Sequence, residues 1–131
     1  MNVLLDSSFL IDLLNELADS AAGPATAWLK RNPRARLWVS AVTVAEVLEG
    51  AEDVDAVSRF LNRFRWQGLH HSHAMRVALL QQRSKQRMGE NDAWQAAAVL
   101  ELRGKIVGHD PRAFARLGPA YLDHRAQPTA I

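Results

Sequence analysis

Four acids stand where chemistry could be done: Asp6, Glu46, Asp92 and Asp110. Asp6 ends the apolar run Val3-Leu4-Leu5, and Asp110 follows Lys105-Ile106-Val107-Gly108 with one residue between. Glu46 lies in the stretch from Ser40 to Gly50, and Asp92 opens an alanine-rich run. Carboxylates brought together raise one another's pKa, and a site that keeps several usually needs a cation. Oxygen ligands without His or Cys favour Mg²⁺ or Mn²⁺ over zinc. A divalent ion so held can orient water, lower its pKa and neutralise a phosphodiester, which makes metal-dependent phosphodiester hydrolysis the natural chemistry. Each acid also has a plain reading. Asp6, Asp92 and Asp110 are good helix caps, the last with Pro111 behind it, and Glu46 stands three residues after Thr43, at capping-box spacing. Only the set points to a site.

The elements that must position them can be read from periodicity. Val3-Leu4-Leu5 has no polar interruption and reads as a short strand buried on both faces. Ser7 and Ser8 then open a helix to about Leu17, so Asp6 sits where a parallel strand hands over to a helix, the crevice where open α/β sheets bind ligands. A short helix over 25–31 precedes a strand at Leu37-Trp38-Val39. Ser40 opens a third helix, with Val44, Ala45 and Leu48 on one face and a stop near Gly50; that face places Glu46 beside the core. Residues 53–64 form an amphipathic helix, and 66–69 a third strand. A helix from Ser72 is closed by Gly89. The nearly all-apolar run over 92–103 should be the central buried helix, ended by Gly104. Lys105–Gly108 is the fourth strand, residues 111–117 a short helix, and Tyr121-Leu122 an edge strand. Alternating strands and helices predict an α/β domain over 1–126, a mostly parallel sheet of four to five strands flanked by helices on both faces. Residues 127–131 are expected to form a flexible tail.

Composition narrows the classes. At 131 residues and 48% hydrophobic, the chain can bury a real core. It has no cysteine, which excludes disulfides and thiolate zinc and suits a reducing compartment. No apolar stretch approaches the roughly 20 residues of a membrane span, and Asp6 and Asp12 interrupt any leader-like run. A cytoplasmic protein is expected. Sixteen basic against 14 acidic residues give a net charge of only +2, so their distribution matters more than their sum. Arg83, Lys85 and Arg87 lead into Asp92, and Arg112 and Arg116 follow Asp110, where a polyanion crossing the acids would meet them. Arg83, Lys85, Arg87 and Arg112 are therefore the candidate contacts for such a polyanion, against the plain alternative of a solvated helix face. Glu90 reads as loop charge. Trp28, Trp38 and Trp66 read as core or dimer contacts. His70, His71 and His73 are too close for an i, i+4 pair, which argues against zinc.

Four stretches together carry a resemblance. Val3-Leu4-Leu5-Asp6-Ser7-Ser8, Ser40 through Gly50, Gly89-Glu90-Asn91-Asp92-Ala93-Trp94-Gln95-Ala96-Ala97 and Val107-Gly108-His109-Asp110-Pro111-Arg112-Ala113-Phe114 resemble the successive motifs of the PIN-domain family. Order, spacing and size are similar to the single-domain members, the VapC-type toxins of bacterial toxin–antitoxin pairs. The resemblance implies that Asp6, Glu46 and Asp92 are metal-binding catalytic acids, Asp110 the more variable fourth acid, and Ser7 a polar helper. It also implies a Mg²⁺- or Mn²⁺-dependent endoribonuclease, a homodimer, and inhibition by a small antitoxin that inserts a segment near the acids. Two positions depart from the family pattern: Gly108 stands where Thr or Ser is usual, and Gln95 where the residue is normally apolar. The alternatives are a PIN-fold nuclease of RNA processing without an antitoxin, and an inactive PIN-fold module that binds RNA or protein. The last gives no reason to keep repelling carboxylates together.

Overall fold

In the computed structural model, which describes residues 1–126, Val3, Leu4 and Leu5 are wholly buried in strand β1, Asn2–Leu5. The sheet adds β2 (Arg36–Ser40), β3 (Arg65–Gln67), β4 (Lys105–Gly108) and β5 (Tyr121–Asp123) in the order β3-β2-β1-β4-β5. Every pairing is parallel, with Leu4 beside Trp38 on one side and Ile106 on the other. The expected tail, 127–131, lies outside the described residues.

The helices connect these strands: α1 (Ser7–Ala18) and α2 (Pro24–Arg31) after β1, α3 (Ala41–Glu49) and α4 (Val54–Leu61) after β2. Helices α5 (His71–Arg83) and α6 (Glu90–Leu102) link β3 to β4, and α7 (Pro111–Phe114) with a 3-10 stretch, Ala115–Ala120, links β4 to β5. Side chains alternate across a strand, and the core divides accordingly. Val3, Leu5 and Val107 pack with Phe9, Leu10, Trp28 and Val44 on one face; Leu4 and Ile106 pack with Ala98, Val99 and Phe114 on the other. Phe9 meets the Trp28 ring edge-on at 5.6 Å between centroids, which gives Trp28 the core role its sequence predicts. Trp38 is half-buried against the second core cluster and Trp66 is exposed; their indole N–H groups donate to Asn2 Oδ1 and the Leu61 carbonyl.

Strand order places the switch in chain direction between β1 and β4, because the chain moves from β1 out to β3 and then returns to the far side of β1. Ligands of open α/β sheets bind outside the carboxyl ends at that point. Asp6 follows β1 there, and Asp110 lies just past β4.

Several elements differ from the sequence reading. Helix α5 ends at Arg83 rather than at Gly89, and the Ser84 hydroxyl folds back onto the Leu80 carbonyl at 2.6 Å. The apolar stretch at the start of α5 is mostly solvent-facing: Val77 is buried, while Met75 and Leu79 are exposed. Ala45 is exposed too, since the buried stripe of α3 runs through Thr43, Val44 and Val47. At the end of α6 the left-handed residue is Arg103, with φ 51°. Gly104 answers a different demand: a Cβ there would run into the Asn2 carbonyl.

Candidate active site

Ser40 and Asp6 cap helices at the carboxyl ends of neighbouring strands, and the site grows from those two caps. Asp6 is 6% exposed and accepts at Oδ2 from the Ser8 backbone N–H at 3.4 Å and the Ser8 hydroxyl at 2.8 Å. Ser8 Oγ in turn accepts from the His109 N–H at 2.8 Å, which ties the β1 turn to the β4 turn. The hydroxyl that bonds to Asp6 is that of Ser8 rather than of its neighbour Ser7, the polar helper that the resemblance implies beside the site. The helix register explains the difference, because a cap bonds to the second and third residues that follow it.

Gly108 belongs to the same junction. A Cβ there would stand 2.7 Å from Asp6 Cβ, 2.8 Å from Ser8 Oγ and 2.9 Å from Asp6 Oδ2. The departure seen in the sequence is therefore required by space: the Ser8 hydroxyl occupies the ground a side chain at 108 would need.

Gln95 lies on α6 one turn beyond Asp92 and is 1% exposed. Its Nε2 reaches Asp6 Oδ1 at 3.4 Å and donates to Thr43 Oγ1; the Ser40 hydroxyl donates to its Oε1 at 2.5 Å. Ser40 Oγ also accepts from the Thr43 N–H and caps α3. With Ser40 as the cap, Glu46 lies beyond the first turn, and the capping-box alternative for Glu46 falls. Asp92 is no cap either, since Gly89 holds that position and α6 begins at Glu90. Asp110 does cap α7, accepting from the Ala113 N–H at 3.2 Å, while its own N–H donates to the Tyr121 hydroxyl.

The four acids share a field more than a contact. Burial pushes the Glu46 carboxyl above its ordinary value, and Asp6, Asp92, Glu49 and Asp110 push it further. Asp92 is raised first by burial, then by Asp110 and Asp6, with Arg116 pulling the other way. Among the described residues, no three such side chains stand at ligand spacing round one point. The donor set still fits a hard divalent cation, for it offers only carboxylate oxygens, and the negative field they share raises Glu46 and Asp92.

A cleft of about 470 Å³ brings Asp92 and Asp110 against Arg87, Arg112 and Arg116. Asp6 and Glu46 do not line it; Glu46 borders two other hollows, one with Ile11 and Val57 and one with Leu69 and Asn91, and feels Asp6, Asp92 and Asp110 through their charge. Of the basic residues expected at the acids, Arg87, Arg112 and Arg116 line the cleft. Arg83 faces a different hollow beside Arg76 and Leu100, and Lys85 is exposed outside the cleft. Arg116, whose guanidinium holds Ser84 Oγ at 3.3 Å and the Gln86 carbonyl at 3.5 Å, ties down the loop before Asp92. Glu90 is exposed and pairs with Arg87 at 3.1 Å. Two of the three histidines have a structural use: His73 is buried and its Nδ1 accepts the His70 N–H at 3.1 Å, capping α5. Gln95 and Ser8 are the contributors that residue types alone did not single out for the site. The signal for Gln95 was a lone amide in an apolar helix.

A PIN domain profile matches residues 3–118, and the chain belongs to the PIN domain family. PIN domains are nucleases that generally use divalent metals, so the coarse chemistry is hydrolysis of nucleic acid. The fold is similar to that of chains in solved toxin–antitoxin structures. A chain of a toxin–antitoxin complex from Klebsiella pneumoniae is 24% identical, with a TM-score of 0.77 over 93% of this chain and 97% of that one. VapBC-1 from nontypeable Haemophilus influenzae is 20% identical, with a TM-score of 0.72 over 96% and 100%. FitAcB from Neisseria gonorrhoeae is 18% identical, with a TM-score of 0.73 over 93% and 97%. Comparison with curated protein sequences finds no match. Among the described residues, no helix is long and apolar enough to cross a membrane.

The raised carboxyls have a consequence for stability. Folded Glu46 and Asp92 hold their protons more tightly than the unfolded chain does, so their protonation stabilises the fold at low pH. That contribution is lost as pH rises through their raised values. At pH 7 without divalent ions, Glu46→Gln is expected to melt a few degrees higher than wild type, about 2–5 °C. The advantage should vanish at pH 4, which differential scanning calorimetry in EDTA would read. An equal or lower melting temperature at pH 7 would show that Glu46 feels no net repulsion.

Proposed function

We propose that this chain is a Mg²⁺- or Mn²⁺-dependent endoribonuclease acting as the toxin of a toxin–antitoxin pair, with a homodimer and a cognate antitoxin as its assembly. The observation that carries the reading is the coupled set of Asp6, Glu46, Asp92 and Asp110 at the switch point of a PIN fold, beside an arginine-lined cleft. The toxin reading is supported by the family and by solved toxin–antitoxin structures of the same fold.

Asp6, Glu46, Asp92 and Asp110 would hold the ion. When bound, a divalent cation supplies charge that neutralises the phosphodiester and acidifies water. Arg87 and Arg112 are placed to take backbone phosphates on the cleft wall, which positions a strand without reading its sequence. Ser7 remains a candidate polar helper at the helix start.

The test has two arms. Purified protein is incubated with structured RNA in Mg²⁺, Mn²⁺ or EDTA, and cleavage is expected only with metal. The product of a short neighbouring reading frame, if it co-purifies and suppresses the cleavage, makes the chain a toxin. Cleavage that no neighbouring product suppresses would move it to RNA processing. RNA binding without cleavage under any metal would leave a binding module.

A further inference from the structure

A buried amide in an apolar helix is costly unless its polar atoms are all met, and in Gln95 they are met by the elements that carry the acids. Its own helix, α6, carries Asp92 one turn earlier. Its Nε2 faces Asp6 at the end of β1 and donates to Thr43; Glu46 follows one turn after Thr43 on α3. Its Oε1 takes the Ser40 hydroxyl at the cap of α3. One side chain thus joins the three segments that place Asp6, Glu46 and Asp92.

The amide can sit in only one sense. A carboxylate accepts and never donates, so the NH₂ end must face Asp6 and the carbonyl end must face the Ser40 hydroxyl. Ser40 is held in turn, because its oxygen also accepts the Thr43 N–H at 3.2 Å. Asp6 is therefore gripped on both oxygens, by Gln95 at Oδ1 and by Ser8 at Oδ2. Leucine or methionine at 95 would fill the same space and leave Oδ1 unheld.

We propose that Gln95 is a positioning residue that sets the orientation of Asp6 and the spacing of Asp6, Glu46 and Asp92 for divalent-ion binding. The inference rests on the nuclease reading of the acids. Groups that orient metal ligands from behind typically change affinity by about 10–100-fold when lost.

The experiment measures Mn²⁺ affinity by isothermal titration calorimetry, with thermal melts in parallel. The proteins compared are wild type, Asp6→Asn, Gln95→Met, and the double variant Gln95→Met/Thr43→Val. Methionine keeps the length of the side chain, and Thr43→Val removes the hydroxyl that the first change strands. The expected result is a Kd for Mn²⁺ weaker by about 10–100-fold in both Gln95 variants, including the double variant whose melting temperature recovers. An unchanged Kd would overturn the inference. So would a Kd that returns to the wild-type value together with stability, since that would reduce Gln95 to packing. Wild type and Asp6→Asn that both fail to bind Mn²⁺ would overturn the nuclease reading itself, and the inference with it.

Discussion

Asp6→Asn is expected to lower metal-dependent RNA cleavage by roughly 10²–10³-fold, the scale of losing one preorganised charge-stabilising group, with a fall of only a few degrees in melting temperature. The separation of the two readouts follows from the double duty of this side chain. As a cap, Asp6 needs only an oxygen to accept from Ser8, and Asn caps as well as Asp. As one of the acids at the switch point, it needs a charge, and Asn has none. The amide can also turn its oxygen toward Ser8, although its NH₂ would then oppose the NH₂ of Gln95. Asp92→Asn should lose activity on the same scale, and it makes a cleaner control because Asp92 caps nothing. The double variant should be little worse than either single one, since groups that act as a unit are not additive. Cleavage of a defined RNA under single-turnover conditions, beside thermal melts, gives both readouts. Full activity in Asp6→Asn would return this acid to capping alone.

Gly108→Ser is expected to destabilise the protein by about 1–3 kcal/mol, the usual cost of overpacking, or about 4–12 °C in melting temperature for a chain of this size. The new Cβ would press on Asp6 Cβ at 2.7 Å and on Ser8 Oγ at 2.8 Å. The Ser8 contact can be relieved by truncation. The Asp6 contact cannot, because Asp6 Cβ is fixed by the backbone at the end of β1. Gly108→Ser/Ser8→Ala should therefore recover only part of the lost stability. Full recovery would place the whole strain on the hydroxyl, and no loss in Gly108→Ser would show that the β1–β4 junction opens freely. Cleavage should fall with stability in this variant, because the pressed group is one of the four acids.

Much of this architecture was legible from one sequence. Three apolar residues before Asp6 predict a strand buried on both faces, and β1 is that strand; Lys105–Gly108 is β4 at the expected bounds. Parallel pairing followed from helical connections between strands, and all the pairings are parallel. Asp6 and Asp110 could be picked out as candidates because they stand just past strands, whereas Glu46 and Asp92 lie inside helices and stood out through the motifs around them. Local periodicity was weaker where exposure departs from hydrophobicity. Met75, Leu79 and Ala45 are apolar yet face outward, since only contact with another element decides which stripe of a helix is covered.

The sequence by itself determined the order of strands and helices along the chain and put forward the four acids as candidates, because these depend on residue type and short-range spacing. Only the tertiary structure decided who holds the acids in place. Ser8 rather than Ser7 touches Asp6 because helix geometry turns its hydroxyl back to the cap. Arg87 and Arg112 reach the cleft where Arg83 does not, because α5 ends and the chain bends before Gly89. Gln95 meets Asp6 across 89 residues of chain; no local pattern encodes a distance that the closing of the sheet alone creates.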